Sequence, residues 1–314
     1  MCSQLASGWS DRSGSGSLPN SLVMSAPAKV NLFLELLHKR PDGYHEVETF
    51  MVAVTLEDRL EFREEPSGQI HLSVSGRAVP AGADNLAWRA AALVRQRAGI
   101  RRGVRISLTK RIPVGAGLGG GSSDAACVLR ALNHLWKLNW TEEQLMPLAA
   151  QLGSDVPFFV TGATAAWCRG RGERVEPASL PRPLHFLVIW PGVELSTARV
   201  YGRAQLGGRR RSAQRFHQAV QRGSWLHLAR AMFNRLQKPA EELCPRLKEL
   251  RQFFDRYRSW GHAVSGSGSA YVVLCRDRDE AHQVHDAFWS HFRRTARDTE
   301  EVETYLVASA SGGE

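Results

Sequence analysis

Five glycines occur within seven positions of the stretch Pro113-Val-Gly-Ala-Gly-Leu-Gly-Gly-Gly-Ser-Ser-Asp-Ala-Ala126. A backbone this rich in glycine can approach a ligand closely and turn its N–H groups toward an anion. Apolar residues then recur at helical spacing over residues 125–136, so the loop leads into a helix whose N-terminal dipole favours phosphate. The stretch therefore predicts a phosphate-binding loop; the alternative is a structural turn without a ligand.

Comparison with known phosphate-binding motifs limits the classes of protein to which this loop can belong. No Gly-Lys-Ser or Gly-Lys-Thr closes the loop, which excludes a Walker A motif. Gly115, Gly117 and Gly120 satisfy the spacing G-x-G-x-x-G, but a dinucleotide site also requires an acidic residue about 20 positions further on. That interval holds Asn139-Trp140-Thr141 at the start of a predicted helix. The His-Arg-Asp and Asp-Phe-Gly motifs of protein kinases are missing from the sequence.

Length and composition favour a globular protein of about two domains. The chain has 314 residues, of which 43% are hydrophobic and 23% charged, and no run of about 18 apolar residues occurs. Its five cysteines are scattered and form no CxxC pair, so neither a disulfide framework nor a zinc site is indicated. Reduced thiols in a bacterial cytoplasm are expected.

The net charge of +10 comes from one segment. Residues 201–260 contain 14 Arg or Lys against four acids, whereas the rest of the chain balances at 27 of each sign. A positive field of this kind can steer anionic substrates or bind nucleic acid. No recognised nucleic-acid-binding motif accompanies the charge, so we expect a solvated helical face, with no nucleic-acid and no membrane partner.

Hydrophobic periodicity and turn residues outline the secondary structure. Strands are predicted at residues 28–36, 46–56, 59–63, 70–74, 104–110, 184–190, 270–275 and 304–308, with a strand pair over 163–175. Asp84 is the predicted cap of a helix over residues 85–98. A capping box at Thr141 and Gln144 opens the next helix, which Gly153 can end. Residues 199–257 are predicted to be mostly helical, and an amphipathic helix precedes the last strand.

Three prolines, Pro177, Pro181 and Pro183, mark a predicted domain boundary. The predicted domains are residues 24–180 and 181–314, preceded by a flexible N-terminal extension of residues 1–23, with Met24 as an alternative start. Strands come before helices in the first half, and a strand–helix–strand pattern closes the second. This order argues for an α+β fold in both halves.

The glycine-rich loop resembles the central motif of the GHMP kinases, small-molecule kinases that lay the phosphates of ATP across such a loop and helix start. Three further stretches are similar to the branch of that family whose substrate carries a cytidine diphosphate group: Ala26-Pro-Ala-Lys-Val-Asn-Leu-Phe-Leu34, Arg40-Pro-Asp-Gly-Tyr-His45 and Gly153-Ser-Asp-Val-Pro-Phe-Phe159. Ser265-Gly-Ser-Gly-Ser269 resembles the third GHMP motif. The resemblance implies the two-domain GHMP kinase fold of the α+β class, with an N-terminal domain like domain 2 of ribosomal protein S5 and a ferredoxin-like C-terminal domain.

The resemblance also implies an activity. The chain would be an ATP-dependent kinase of the non-mevalonate route to isoprenoid precursors, acting on the 2-hydroxyl of a diphosphocytidyl methylerythritol. Asp155 matches the family's general base, and Lys29 matches the residue that balances charge beside it. On the residues alone, Asp155 is a turn or cap residue and Lys29 is a solvated lysine on the polar face of the first strand.

The other expected site residues follow from the same resemblance. Asn85 would lie near the adenine, Lys110 and Pro113 would line the nucleotide approach, and the phosphates would meet Gly115, Gly117, Leu118, Gly119, Gly120, Gly121, Ser122 and Ser123. Tyr44 would stack on the cytosine and His45 would hydrogen-bond its edge, with Asn31, Thr197, Tyr201, Ser267 and Gly268 completing the substrate site. ATP with Mg²⁺ is the expected cofactor, although no acidic cluster fixes a metal site.

Several alternatives stay open at this point. They are another GHMP alcohol kinase, a catalytically silent protein of the same fold, and a basic nucleic-acid-binding module. The segment Arg169-Gly-Arg-Gly-Glu173 departs from the family pattern by placing an arginine on both sides of Gly170. These charges could serve a nearby diphosphate, or they could belong to a solvated hairpin.

Overall fold

The computed structural model describes residues 21–206, 210–257, 261–295 and 301–310. Most of the predicted N-terminal extension lies outside this range, and residues 21–23 already belong to the first strand. The strands are β1 Ser21–Lys39, β2 His45–Glu65, β3 Ile70–Gly76, β4 Gly103–Lys110, β5 Ala165–Gly170, β6 Arg174–Ala178, β7 His185–Trp190, β8 Phe233–Asn234, β9 Gly261–Val264, β10 Tyr271–Cys275 and β11 Glu303–Ala308.

Helices connect these strands and cover the sheets. They are α1 Leu86–Ala98, α2 Gly120–Leu135, α3 Glu142–Leu152, α4 Val156–Val160, α5 Thr197–Gly202, α6 Ala213–Gln221, α7 Trp225–Ala231, α8 Gln237–Leu243, α9 Pro245–Tyr257 and α10 Arg278–Thr295. Within the described ranges, no helix is long and apolar enough to cross a lipid bilayer.

The first sheet has seven strands, in the order β3-β4-β2-β1-β8, with β5 and β6 continuing from β2. Strand β2 pairs with β1 along one edge. Along its other edge, residues 59–65 pair with β4 and residues 47–52 pair with β5. The prediction of two separate strands over residues 46–63 is therefore wrong. The register between β1 and β2 shifts after Pro27, which leaves two extra residues, Thr55 and Leu56, as a bulge that bends one continuous strand.

The second sheet has four antiparallel strands in the order β11-β7-β10-β9. Together with its helices it follows the β-α-β-β-α-β order of a ferredoxin-like domain. The two sheets divide the chain between Ala178 and His185, beside the three boundary prolines. The two-residue strand β8 is the exception, since it lies in the second half of the sequence but pairs with β1 of the first sheet.

Two helix starts depend on local side chains. Asn85, not the predicted Asp84, caps α1, because its Oδ1 accepts a hydrogen bond from the N–H of Ala87 at 2.9 Å. Helix α3 begins with the predicted capping box of Thr141 and Gln144 and ends at Gly153, as predicted.

A shared aromatic core joins the two halves of the molecule. Phe33 of β1 and Phe50 of β2 pack against Trp167 of β5 and Phe216 of α6, with ring centroids 5.1–6.0 Å apart. Helix α2 packs on the other side of β1. Residues 28–36 of β1 are therefore covered on both faces, and this burial sets the environment of the polar residues among them.

The predicted polar face of β1 is not exposed to solvent. Lys29, Asn31 and Glu35 are only 3%, 2% and 1% exposed. A buried charge requires a partner, and Glu35 receives two hydrogen bonds of 2.7 Å from the guanidinium of Arg235, next to β8. The interpretation of Lys29 as a solvated strand lysine is therefore wrong.

Candidate active site

A cavity of about 1210 Å³ lies where the two sheets meet. Its walls come from β1, β2, the glycine-rich loop, the loop before α4, the β5–β6 turn, α5 and the turn between β9 and β10. Every predicted site residue except one lines this cavity. The exception is Ser123, which is buried at 1% exposure and has an Oγ without a hydrogen-bond partner among the described residues.

The glycine-rich loop is held between the two domains by backbone contacts. Lys29 of β1 donates its N–H to the carbonyl oxygen of Leu118 at 2.9 Å, and Ala270 donates to Ala116 at 2.9 Å. Gly117 has φ +73°, and a Cβ on it would lie 2.1 Å from the carbonyl oxygen of Ser265. Only a residue without a side chain fits there, so the loop can follow this path only with glycine at position 117.

Helix α2 starts at the floor of the cavity. Gly119 is its N-cap, in the left-handed conformation, and residues 119–122 all line the cavity. The first N–H groups of a helix have no intrahelical partner and carry the positive end of the helix dipole. This end of the cavity is therefore suited to an anion such as phosphate.

A charged pair lies beside this helix start. The Nζ of Lys29 is 3.3 Å from Oδ2 of Asp155 and donates a hydrogen bond of 2.6 Å to Oδ1 of Asn31. The side-chain amide of Asn31 donates to Thr49 at 2.8 Å, and Thr49 donates to the carbonyl oxygen of Phe33 at 2.6 Å. This chain of hydrogen bonds orients Lys29 from inside the sheet.

Asp155 differs from Lys29 in its exposure. It follows the end of α3 and precedes α4, and its side chain is 28% exposed against 3% for Lys29. The carboxylate of Asp155 can therefore contact a ligand in the cavity, while the buried ammonium of Lys29 fixes its position through their ion pair. Such an arrangement is able to accept a proton from a hydroxyl group placed between Asp155 and the start of α2.

Lys110 is committed to a buried ion cluster, although it also lines the cavity. Its ammonium contacts Oδ2 of Asp58 and lies 2.6 Å from Oδ2 of Asp124. Oδ1 of Asp58 also accepts hydrogen bonds from the backbone N–H groups of Arg111 and Ile112. The cluster ties β2, β4 and α2 together at the base of the glycine-rich loop.

The place of Asp124 in this cluster shifts its pKa. Burial raises its pKa to about 7, and the negative charge of Asp58 adds to the rise, while Lys110 opposes it. Its Oδ1 has no hydrogen-bond partner among the described residues. One lysine thus faces two carboxylates, and Asp124 holds a proton more readily than an exposed aspartate does.

Aromatic residues form the opposite end of the cavity. Tyr44 is 53% exposed, and the ring of His45 lies 5.5 Å from that of Tyr201, centroid to centroid. Burial, with the charge of Lys39, lowers the pKa of His45. Its imidazole is therefore neutral at pH 7 and offers one donor and one acceptor. Burial, and then the charge of Asp155, raise the pKa of Tyr201, which keeps its phenol neutral.

The segment Ser265-Gly-Ser-Gly-Ser269, between β9 and β10, closes the cavity from the second domain. The hydroxyl groups of Thr197 and Ser267 lie 3.0 Å apart, and Oγ of Ser265 donates to the carbonyl oxygen of Gly117 at 3.0 Å. Asn85, at the start of α1, also lines the cavity, and its side chain donates to the carbonyl oxygen of Pro80 at 2.7 Å. Sequence reasoning had assigned no role to Thr49, Asp58 or Asp124, because their partners are distant in the sequence.

Comparison with known proteins assigns the family. Residues 85–163 match the model of the GHMP kinases N terminal domain, and residues 216–294 match that of the GHMP kinases C terminal domain. A homoserine kinase structure from Cytophaga hutchinsonii, 17% identical, aligns with a TM-score of 0.71 over 95% of this chain and 97% of its own, which supports the fold alone. The chain belongs to the GHMP kinases.

More similar relatives share one name within that family. A protein of Pelotomaculum thermopropionicum, 42% identical over 86% of this chain and 93% of its own length, is named 4-diphosphocytidyl-2-C-methyl-D-erythritol kinase. A Bacillus subtilis protein of the same name is 37% identical over 84% of this chain and 92% of its own. A crystal structure of 4-(cytidine 5'-diphospho)-2C-methyl-D-erythritol kinase, 38% identical, has a TM-score of 0.74 and covers 92% of this chain and 100% of its own.

The close approach at Gly117 predicts that this position tolerates no side chain, in contrast to a glycine outside the cavity. We expect Gly117→Ala to weaken ATP binding at least tenfold, because the added methyl group collides with Ser265 and the left-handed backbone must change. Gly82→Ala is the control, since Gly82 lies outside the cavity lining and a Cβ there meets no heavy atom within 4 Å. Titration calorimetry with ATP measures both, and equal affinity in the two variants would contradict the prediction.

The raised pKa of Asp124 predicts a pH-dependent stability. Between pH 4 and 7 the folded state binds a proton that the unfolded state has released, so this group lowers the free energy of unfolding as pH rises. Urea unfolding is therefore measured at pH 5.5 and 8.5. Between these values, we expect the free energy of unfolding of wild type to fall relative to that of Asp124→Asn by roughly 1–2 kcal/mol. Asp84→Asn, at an exposed acid of the same cavity, is the control. Parallel pH profiles for wild type and Asp124→Asn would be the contrary result.

Proposed function

We propose that this chain transfers the γ-phosphoryl group of ATP to the 2-hydroxyl of 4-diphosphocytidyl-2-C-methyl-D-erythritol, a step of isoprenoid precursor biosynthesis. One observation carries the proposal. The pair of Lys29 and Asp155, 3.3 Å apart, lies in the same cavity as the start of α2 and the aromatic groups Tyr44 and His45. A phosphate-binding helix start, a base and a site suited to a nucleobase are thus available to one bound pair of substrates.

The glycine-rich loop and the start of α2 hold the triphosphate in this proposal. The N–H groups at residues 119–122 bind the phosphate oxygens, and Asn85 and Pro113 line the adenosine side of the cavity. Lys110 supports this end indirectly, because its ammonium is already paired with Asp58 and Asp124. Its role is to fix the strand that enters the loop.

Asp155 acts as the general base. Its carboxylate accepts the proton of the substrate hydroxyl as that oxygen bonds to the γ-phosphorus, and the bond to the leaving oxygen of ADP breaks. Lys29 stays behind the carboxylate, held by Asn31, and its positive charge offsets the negative charge that develops on the transferred group. Catalysis on this scheme is mainly positioning and electrostatic stabilisation.

The residues present suit a Mg²⁺ ion that enters with ATP. Ser122 would supply an oxygen ligand at the phosphate end, and no group of three acidic, histidine or cysteine ligands occurs in the described part of the chain. Mg²⁺ prefers oxygen ligands and keeps several waters, so few protein ligands are needed. Bound with the triphosphate, it neutralises charge on the phosphate oxygens.

The aromatic end of the cavity recognises cytosine. Tyr44 offers an exposed ring for stacking, and neutral His45, beside the ring of Tyr201, can donate to and accept from the edge of the base. Thr197 lines the same cavity. Asn31 faces the methylerythritol end next to Lys29, and Ser267 and Gly268 close the cavity over the substrate. We place the enzyme in the bacterial cytoplasm, since Cys127, Cys168, Cys244 and Cys275 are buried and free.

Turnover with a set of alcohols tests the reaction and its base. ADP release is measured with Mg-ATP and the cytidyl substrate, homoserine, mevalonate or galactose. We expect activity with the cytidyl substrate alone, and a fall in kcat of about 10²–10⁴ in Asp155→Asn because the amide cannot take the proton. The Asp84→Asn variant should retain full activity.

Three outcomes of this assay would change the conclusion. Near-normal kcat in Asp155→Asn would remove its role as base. Turnover of a different alcohol would retain the kinase and discard the assignment of Tyr44 and His45. No turnover of any alcohol, in protein that binds ATP, would favour the catalytically silent alternative.

The assignment of His45 makes a separate prediction. We expect His45→Ala to raise KM for the cytidyl substrate about tenfold and to leave KM for ATP unchanged, because only the first ligand loses a hydrogen-bond pair. His38→Ala is the matched control, since His38 is exposed on β1 outside the cavity. An unchanged KM for the cytidyl substrate would count against the assignment.

A further inference from the structure

Two arginines flank Gly170 at the β5–β6 turn, and the structure separates their roles. Arg169 forms ion pairs with Glu48 at 3.1 Å and with Glu176 at 2.6 Å, across the surface of the sheet. Arg171 forms no ion pair with any acid in the described ranges. Its guanidinium carbon instead lies 4.8 Å from the ring centroid of Tyr44, and its side chain lines the cavity.

The backbone of the turn directs Arg171 into the cavity. Gly170 and Gly172 have φ values of +76° and +121°, which a residue with a side chain rarely adopts. Glu173 accepts the N–H of Arg171 at 2.5 Å, and a Cβ on Gly172 would lie 3.2 Å from the carbonyl oxygen of Ser154. The tip of the turn thus packs against the loop that carries Asp155.

Arg171 therefore spans the distance between the two functional ends of the cavity. Its backbone is one residue from the contact with Ser154, next to Asp155, and its side chain reaches Tyr44. In the proposed substrate, a diphosphate joins the cytidine to the methylerythritol. If cytosine binds at Tyr44 and the reacting hydroxyl lies at Asp155, the diphosphate occupies the space between them.

The charges around this space favour an anion at Arg171. Two acids, Asp42 and Glu46, lie two positions from Tyr44 along the chain. Asp42 accepts hydrogen bonds from Arg40 and from the N–H of Tyr44, and Glu46 pairs with Arg40. The charge of Asp42 also attracts Arg171 through space, without an ion-pair contact between the two in the described ranges. A guanidinium presents several donors in a planar fork that matches phosphate oxygens, and the same plane can pack on an aromatic ring. One residue can therefore hold Tyr44 in place and bind phosphate.

We infer that Arg171 is a specificity-determining residue that binds the diphosphate of the cytidyl substrate while its guanidinium packs on Tyr44. This inference rests on the proposed function and deepens it. It assigns recognition of the diphosphate to the β5–β6 turn, and recognition of the base to Tyr44 and His45. The triphosphate of ATP remains with the glycine-rich loop.

Ligand pairs that differ only in the diphosphate test the inference. The affinities of cytidine and of cytidine diphosphate are measured by calorimetry for wild type, Arg171→Gln, Arg171→Lys and the control Arg169→Gln. We expect wild type to prefer the diphosphate, and Arg171→Gln to lose about tenfold or more of that preference. Arg171→Lys should keep part of the preference because the charge remains, and Arg169→Gln should keep all of it. In turnover assays, Arg171→Gln should raise KM for the cytidyl substrate and leave KM for ATP unchanged.

Three results would overturn the inference. The first is a preference for the diphosphate that is unchanged in Arg171→Gln. The second is an equal loss of both ligands, which would mean that Arg171 only supports Tyr44. The third is an equal effect of Arg169→Gln, which would mean a general positive field. These are binding measurements, so the inference and the proposed reaction can fail separately. If wild type turns over the cytidyl substrate and Arg171→Gln keeps its preference for the diphosphate, only the inference is rejected. If wild type binds ATP but turns over no substrate, the proposed function is rejected.

Discussion

The whole site depends on the close approach between the glycine-rich loop and the turn that joins β9 to β10. At Gly117, the loop lies so near the carbonyl oxygen of Ser265 that no side chain fits between them. Three further backbone contacts continue this junction: Lys29 to Leu118, Ala270 to Ala116 and Leu195 to Gly115. The loop is thus fixed from both domains at once. Support of this kind keeps the loop in one conformation, whereas a flexible loop loses entropy when it binds a ligand.

The second constraint is the burial of β1. This strand is covered by α2 on one face and by the aromatic core of Phe33, Phe50 and Trp167 on the other, yet it carries Lys29, Asn31 and Glu35. Each of these side chains is therefore obliged to find a partner inside the protein. Glu35 pairs with Arg235 and serves the structure, whereas Lys29 faces the cavity with Asp155. Two charges on one strand thus acquire different roles from what the fold places opposite them.

The basic segment of residues 201–260 is partly explained by such pairing. Arg235 neutralises buried Glu35, Arg251 pairs with Glu241 and Asp255, and Arg246 donates to the carbonyl oxygen of Pro191. Arginine suits these positions because its fork of donors can satisfy carboxylates and carbonyl groups at the same time. Counting charges along the chain cannot distinguish arginines of this kind from those of a nucleic-acid-binding face. The count does not show which carboxylate or carbonyl group each arginine contacts.

The sequence by itself determined the features that depend on neighbouring residues. The glycine-rich loop before α2 and the capping box at Thr141 both follow from backbone preferences and hydrogen bonds within a few residues. Only the tertiary structure decided which distant groups meet. Lys110 lies 52 positions from Asp58, and Arg171 lies 127 positions from Tyr44, so no local pattern could reveal that the first is paired and the second is stacked. For the same reason β2 could not be recognised as one strand, since its continuity depends on the strands that pair with it.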